Sequence, residues 1–303
     1  MEKQVLIIGG SGFIALNVIE RFLKESFSII VYGRTAPQIT AKNLRFIEGE
    51  LKDVHNRLAN LHGLFYGDVI YFANNVPVNT DVDNYDELIQ ENYHALDFLF
   101  SISSRVVYFS SGGRIYQSSV LPHAETDELS PTCHYGRSKV DLEKYIIEEA
   151  PKRNCNYLIV RPSNPYGRHQ KLYSNQGLIA VIAGKILLGK DIEVWGAGTE
   201  VRDYIYIDDF VDIFYLLLTS NDNQQKVINI GSGVGVSTIE VIDTVIQAMG
   251  KPNVIKKKID IHRSIIPSNI LCNKRLKSII GDYKFTSLNE GVTKFINELK
   301  VKG

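Results

Sequence analysis

The sequence predicts an α/β protein built on a doubly wound parallel sheet, together with a smaller α/β domain. Three observations lead there. Short apolar runs of buried-strand length at residues 5–8, 28–32, 44–47, 68–72, 105–109 and 157–160 are separated by stretches long enough for helices. The first run passes directly through Gly9-Gly10-Ser11-Gly12 into an amphipathic stretch with Ile14, Val18, Ile19, Phe22 and Leu23 on one side. The chain of 303 residues then continues past the last run with enough length for a second core.

Taken in order, the glycine turn is the first element with a chemical meaning. Gly10-Ser11-Gly12-x-x-Ala15 and Gly9-x-x-Gly12-x-x-Ala15 both fit a turn in which the backbone approaches a pyrophosphate at a helix N-terminus. The small Ala15 lets that helix pack closely on the strand. A strand before it and a helix after it predict a dinucleotide site of the Rossmann type, lined by Gly9, Ser11, Gly12, Phe13 and Ile14. The second strand ends at Gly33-Arg34-Thr35, where an acid would select the ribose 2'-hydroxyl of NAD. Arg34 stands there instead, with the Thr35 hydroxyl next to it, so the charge favours the 2'-phosphate of NADP, with NAD as the alternative. The third and fourth strands end at Glu50-Leu51 and Ala73-Asn74, which a parallel sheet would bring to the same ligand-binding edge. A helix over 85–103 leads to the fifth strand, which ends in Ser110-Ser111-Gly112-Gly113-Arg114. Tyr135 and Lys139 follow, four residues apart and therefore on one face of a helix. An ammonium beside a phenol favours the phenolate and lowers its pKa, which makes a proton-transfer pair. Chance alone supplies roughly one such spacing in a chain of this composition, so its meaning rests on its neighbours.

Those neighbours carry a resemblance. The glycine turn, the strand ending in Ser110-Ser111 and Tyr135-x-x-x-Lys139 are followed by Arg161-Pro162-Ser163-Asn164-Pro165-Tyr166-Gly167, by Trp195-Gly196-Ala197-Gly198, by Arg202-Asp203-Tyr204-Ile205-Tyr206-Ile207-Asp208-Asp209, and by Asn229-Ile230-Gly231-Ser232-Gly233. In this order the motifs resemble the extended short-chain dehydrogenase/reductase family, in particular its nucleotide-sugar epimerases, dehydratases and ketoreductases. The resemblance implies that Tyr135 exchanges a proton with a sugar oxygen while Lys139 holds the nicotinamide ribose. It places Pro162 against the cofactor, and Asn164, Gln176, Gly177, Arg202 and Arg263 against the nucleotide diphosphate. The position where relatives carry a Ser or Thr is Gly112 here, so Ser111 is nominated as the third catalytic group, with Ser110 the other nearby hydroxyl. Gly113-Arg114 replaces the Asp-Glu pair of the 4,6-dehydratases, which disfavours that reaction. Ala197 and Ser264-Ile265-Ile266 are smaller departures.

Composition narrows the setting. Lys+Arg and Asp+Glu balance at 34 each, so no global field draws nucleic acid or anionic membrane. Three scattered cysteines and seven histidines show no metal-ligand spacing, and no apolar run reaches membrane-spanning length. The expectation is a metal-free cytoplasmic protein. Residues 1–167 with about 203–226 would form the dinucleotide domain, and 168–202 with 227–303 the nucleotide-sugar domain. The homodimers common among relatives imply one here. Two reactions remain open at C4 of a nucleotide-activated hexose. One is NADPH-dependent reduction of a dTDP- or UDP-4-keto-6-deoxyhexose for bacterial-type surface-polysaccharide precursors. The other is 4-epimerisation of a UDP-sugar with tightly bound NAD. A non-catalytic dinucleotide-sensing module is the remaining alternative, and the intact Tyr135 and Lys139 argue against it.

Overall fold

The computed structural model describes residues 3–63, 65, 67–78, 80–220, 226–260 and 267–302. Its strands are β1 (Gln4–Ile8), β2 (Ser28–Gly33), β3 (Leu44–Glu48), β4 (Asp68–Tyr71), β5 (Arg105–Phe109), β6 (Asn156–Pro162), β7 (Asn164–Tyr166), β8 (Ile192–Trp195), β9 (Val201–Tyr206), β10 (Val227–Ile230), β11 (Gly235–Ser237), β12 (Lys256–Ile259) and β13 (Ser268–Asn269). Its helices are α1 (Phe13–Lys24), α2 (Val54–Leu58), α3 (Tyr85–Ile102), α4 (His134–Lys152), α5 (Leu178–Leu187), α6 (Ile207–Thr219), α7 (Thr238–Met249), α8 (Lys274–Ile280) and α9 (Leu288–Lys302). The chain divides into two compact units.

The first unit comprises Met1–Gln117, Asp127–Pro162 and Ser220–Ile228. The six apolar runs form β1 to β6 of its sheet, and β10, which was not among them, adds a seventh strand, in the order β10-β6-β5-β4-β1-β2-β3. Adjacent strands from β6 to β3 pair in parallel, which the helical crossovers between them require. Strands β1, β2, β4, β5 and β6 are rich in Val, Ile, Leu and Tyr because both faces are covered, whereas β3 at the edge (Leu-Arg-Phe-Ile-Glu) has no fully buried residue. α1 buries Ala15, Val18, Ile19 and Phe22, while Leu96, Leu99, Leu142 and Ile146 of α3 and α4 join a core with Tyr71 and Tyr108. β1 has β2 on one side and β4 on the other. The strand order reverses there, so the carboxyl end of β1 is where such a sheet leaves a crevice.

The second unit comprises Ser118–Thr126, Ser163–Thr219 and Asn229–Gly303. β9 lies at its centre, antiparallel to β11 and parallel to β7 and β13, while β8 and β12 form a separate parallel pair. The fully buried carboxylate of Asp203 ties the larger sheet together. It accepts from Ser232 N (2.9 Å), Ser232 Oγ (2.7 Å), Gly233 N (3.1 Å) and Leu271 N (3.3 Å). Asp209 of α6 similarly accepts from Thr286 N and Oγ1 at 2.6 and 2.9 Å. α7 starts on a Ser237/Glu240 capping box and ends at Gly250 with φ 65°.

The division differs from the expected boundaries at residues 118–126, 163–167, 203–219 and 227–228. Residues 118–126 lie in the second unit, where His123 N donates to Ile270 O and Glu125 accepts from Asn229 N. Residues 163–167 and 203–219 join the expected 168–202 there, because β7 and β9 pair with each other and α6 follows β9 without a break. Lys256, Lys257 and Lys258 are exposed and form the first three residues of β12.

Candidate active site

In the first unit the turn after β1 is shaped by close approaches. Gly9 has φ 88°, and a Cβ there would lie 2.9 Å from Ala73 N, so only glycine lets the turn pass the end of β4. Gly10 is pressed against the Val31 side chain. Gly12 differs, since a Cβ on it would meet nothing within 4 Å. It is also the N-cap of α1 without a side-chain cap, which leaves first-turn N–H groups of the helix without a capping oxygen. Open space in front of such N–H groups suits a diphosphate. Ser11 is exposed, and Phe13 and Ile14 are partly exposed. Arg34 and Thr35 are exposed just past β2. Glu50 pairs with Lys52 at 2.8 Å, and its carbonyl accepts from Tyr32 Oη at 2.5 Å, which fixes the chain entering Leu51. Ala73 and Asn74 lie at the end of β4, but the Asn74 amide donates to Val76 O at 2.6 Å and so closes its own turn.

α4 carries Tyr135 and Lys139. Cys133 caps the helix, with Sγ accepting from Gly136 N at 3.5 Å. A side chain at Gly136 would overlap Arg114 O, so this glycine holds the Arg114 turn against the first turn of α4. Lys139 is only 4% exposed. Its Nζ donates to Phe109 O at 2.9 Å and lies 5.0 and 5.5 Å from the ring centroids of Tyr108 and Tyr135. Burial pushes the Lys139 ammonium down to about 8, with the Glu143 carboxylate opposing the shift. Burial also pushes Tyr135 up to about 12, opposed by the Arg114 cation. The expected lowering of the phenol by Lys139 is thus not found: burial raises it, and the cation that opposes the rise is Arg114. Ser111 is half-buried at the end of β5, while the buried Ser110 Oγ has no hydrogen-bond partner among the described residues. Gly112 N donates to Pro162 O at 2.8 Å, joining the ends of β5 and β6.

Several supporting residues escaped sequence reasoning. Glu143 and Arg161 form a buried bidentate pair (3.0 and 2.5 Å), and Arg161 also donates to Tyr116 Oη at 2.8 Å. The signal was present, since Glu143 continues the Tyr135, Lys139 spacing by one more helical step. Asn92, buried in α3, accepts from Tyr71 Oη at 2.7 Å and donates to Asn75 Oδ1 at 2.7 Å, which anchors the segment after β4. A lone asparagine on an otherwise apolar helix face was its only signature.

In the second unit, Asn164 and Arg202 lie on the neighbouring strands β7 and β9. Asn164 Nδ2 donates to Asp203 O at 2.8 Å, and Arg202 Nη1 donates to Val201 O at 2.7 Å. Gln176 is exposed, and its carbonyl accepts from Ser174 Oγ at 3.0 Å. Gly177 (φ 82°) is the N-cap of α5. Arg263 lies outside the described residues. Among the described residues, no group of three or more His, Cys, Asp or Glu could hold a metal, and no helix is long and apolar enough to cross a membrane.

Residues 5–231 match the sequence model of the NAD dependent epimerase/dehydratase family. The chain belongs to this family. As a member of the epimerase/dehydratase family it is an enzyme of a nicotinamide-dinucleotide-dependent group. The cradle at Gly9, Gly10 and Gly12 fits such a cofactor. It is 29% identical to the dTDP-4-dehydro-6-deoxyglucose reductase of Escherichia coli, over 99% of both chains. It is 25% identical to the UDP-glucose 4-epimerase of Mycolicibacterium smegmatis, again over 99% of both. Among solved structures it is similar to a Thermotoga maritima UDP-glucose 4-epimerase with UDP-glucose (TM-score 0.88, 25% identity, 99% of both chains).

Proposed function

We propose that the protein is an oxidoreductase acting at C4 of a nucleotide-activated hexose, and that it reduces a dTDP- or UDP-4-keto-6-deoxyhexose with NADPH. The observation that carries this choice is the exposed Arg34-Thr35 just past Gly33 at the end of β2, which offers a cation and no carboxylate to the adenosine ribose. The reductase name of the E. coli relative supports it. When bound, the dinucleotide supplies the hydride. Gly9, Ser11, Gly12, Phe13 and Ile14 hold its diphosphate, Arg34 and Thr35 its 2'-phosphate, and Glu50, Leu51, Ala73, Asn74 and Pro162 line it. Tyr135 gives its proton to the sugar oxygen at C4, and its raised pKa keeps that proton in place at neutral pH. Lys139 orients the nicotinamide ribose and offsets negative charge left on Tyr135. Ser111 donates a hydrogen bond to the same sugar oxygen. Asn164, Gln176, Gly177, Arg202 and Arg263 hold the nucleotide diphosphate, where a guanidinium fork suits phosphate oxygens. The enzyme works as a cytoplasmic homodimer on this reading.

A 4-epimerase that retains NAD is the second reading, favoured by the similarity to the T. maritima enzyme along the full chain. The two separate on denaturing the purified protein, identifying the released dinucleotide and supplying NADPH with a dTDP-4-keto-6-deoxyhexose. Stoichiometric loss of NADPH without interconversion of UDP-glucose and UDP-galactose supports the reductase. Released NAD⁺, no NADPH consumption and sugar interconversion would overturn it.

A further inference from the structure

We infer that the ring face of Tyr108 holds Lys139 in its charged form before the dinucleotide binds, which makes Tyr108 a positioning residue for the Tyr135–Lys139 pair. The inference rests on the reading of that pair given above.

A buried ammonium carries three N–H donors and needs electron-rich partners for them. Among the described residues the partners of Lys139 Nζ are Phe109 O at 2.9 Å and the rings of Tyr108 and Tyr135 at 5.0 and 5.5 Å. Glu143 acts on it through space, yet both of its carboxylate oxygens are bonded to Arg161. One carbonyl and two ring faces therefore carry most of the compensation. The Tyr135 face belongs to a group that must itself give up a proton, and it lies 0.5 Å farther away. Tyr108 is the fixed face. It is 0% exposed, sits opposite Tyr71 in the β4–β5 register and lies 6.0 Å from the Tyr71 ring.

The hydroxyl of Tyr108 has a different standing from its ring. It is buried without a hydrogen-bond partner among the described residues, and burial drives its pKa well above the usual phenol value, so it stays neutral. A buried hydroxyl without a partner destabilises a fold. What keeps a tyrosine useful at this place is the electron-rich face, which phenylalanine shares in large part. The groups facing the pair are Tyr108 and the Phe109 carbonyl from β5, Tyr71 from β4, Tyr85 from α3, Glu143 and Cys133 on or next to α4, and Arg114 before it. Among these, Tyr108 and Tyr135 are the ones that touch Lys139 face-on.

The test reads the lysine directly, without dinucleotide and without turnover. Protein carrying ¹³C-labelled lysine is titrated by NMR, with the Lys139 ε-carbon signal identified by its loss in Lys139→Arg. Tyr108→Phe should leave the Lys139 midpoint within about 0.3 pH unit of wild type and raise the melting temperature. Tyr108→Leu should lower the midpoint by about half to one and a half pH units, the range a desolvated cation–π contact spans. If the leucine variant does not fold, 4-cyanophenylalanine at position 108 keeps the ring's shape while depleting its face, and should lower the midpoint in the same direction. An unmoved midpoint, or one raised by water entering, overturns the inference. A lowered midpoint with an unmoved pH profile of turnover supports the role of Tyr108 and overturns the reading that the reaction needs a charged Lys139.

Discussion

Tyr135 and Lys139 are both withdrawn from water, and burial acts on them in opposite directions: the phenol holds its proton more tightly and the ammonium more loosely. On the proposed mechanism, Tyr135→Phe removes the proton donor and leaves the ring. Turnover should fall by about 10² to 10⁴, while dinucleotide affinity measured by titration stays within about threefold. Near wild-type turnover in that variant would exclude Tyr135 as the donor. Lys139 also leaves a mark on stability. Its folded pKa lies near 8, below the ordinary lysine value of 10.5, so between those values the unfolded chain binds a proton that the folded chain has lost. Stability contributed by this residue therefore rises with pH across that window. In urea unfolding without dinucleotide, the stability of wild type relative to Lys139→Met should increase by about 1.5 kcal/mol between pH 8 and pH 9.5. A flat difference would contradict the buried charge. The sequence made the pair visible through helical spacing, but it could not give the sign of the tyrosine shift. That sign depends on desolvation and on Arg114, whose turn reaches α4 only through the close approach of Gly136.

The glycine turn and α1 make one device from residues with different reasons for being glycine. Gly9 serves the fold, passing the backbone of Ala73 in a conformation that side chains resist. Gly12 has an ordinary φ of −78° and open space ahead of it. Gly12→Ala should therefore keep the wild-type melting temperature without ligand and weaken dinucleotide binding by about tenfold or more, a split read by thermal melts beside equilibrium titration. A loss of stability with intact binding would reverse the assignment. Six of the seven strands of the parallel sheet were legible as short apolar runs, most of them because strands covered on both faces are apolar throughout; β10 was not among those runs. β9 and β12 were not legible either. Val201–Tyr206 places Arg202 and the buried Asp203 side by side in its first half, and Lys256–Ile259 presents three lysines to solvent, so neither carries an apolar strand pattern. Their pairing comes from partners distant in sequence, such as Ile192 opposite Lys256.

At the scale of the whole molecule, the balance of 34 basic and 34 acidic residues and a pI near 7.1 leave little net charge to keep copies apart at neutral pH. Solubility in a precipitant series should pass through a minimum near pH 7 and rise by pH 8.5; a monotonic curve would show that local patches, not net charge, govern association. The second unit's claim on residues 118–126 and on α6 was not legible in the sequence. It depends on backbone pairing of His123 with Ile270 and on the Asp209–Thr286 contacts.

Those boundaries bear on how the chain is made. It passes between units after Gln117, Thr126, Pro162, Thr219 and Ile228. On a ribosome, β10 emerges only after the long segment from Ser163 to Thr219 has already been synthesised, so the first sheet waits for its edge strand while an unfinished second unit is exposed. The second unit in turn waits for α9, made after all its other helices and strands. Neither unit corresponds to a contiguous stretch of gene. Single-point recombination therefore cannot exchange one for another, and variation in what the enzyme accepts must arise by substitution within a shared, interleaved chain.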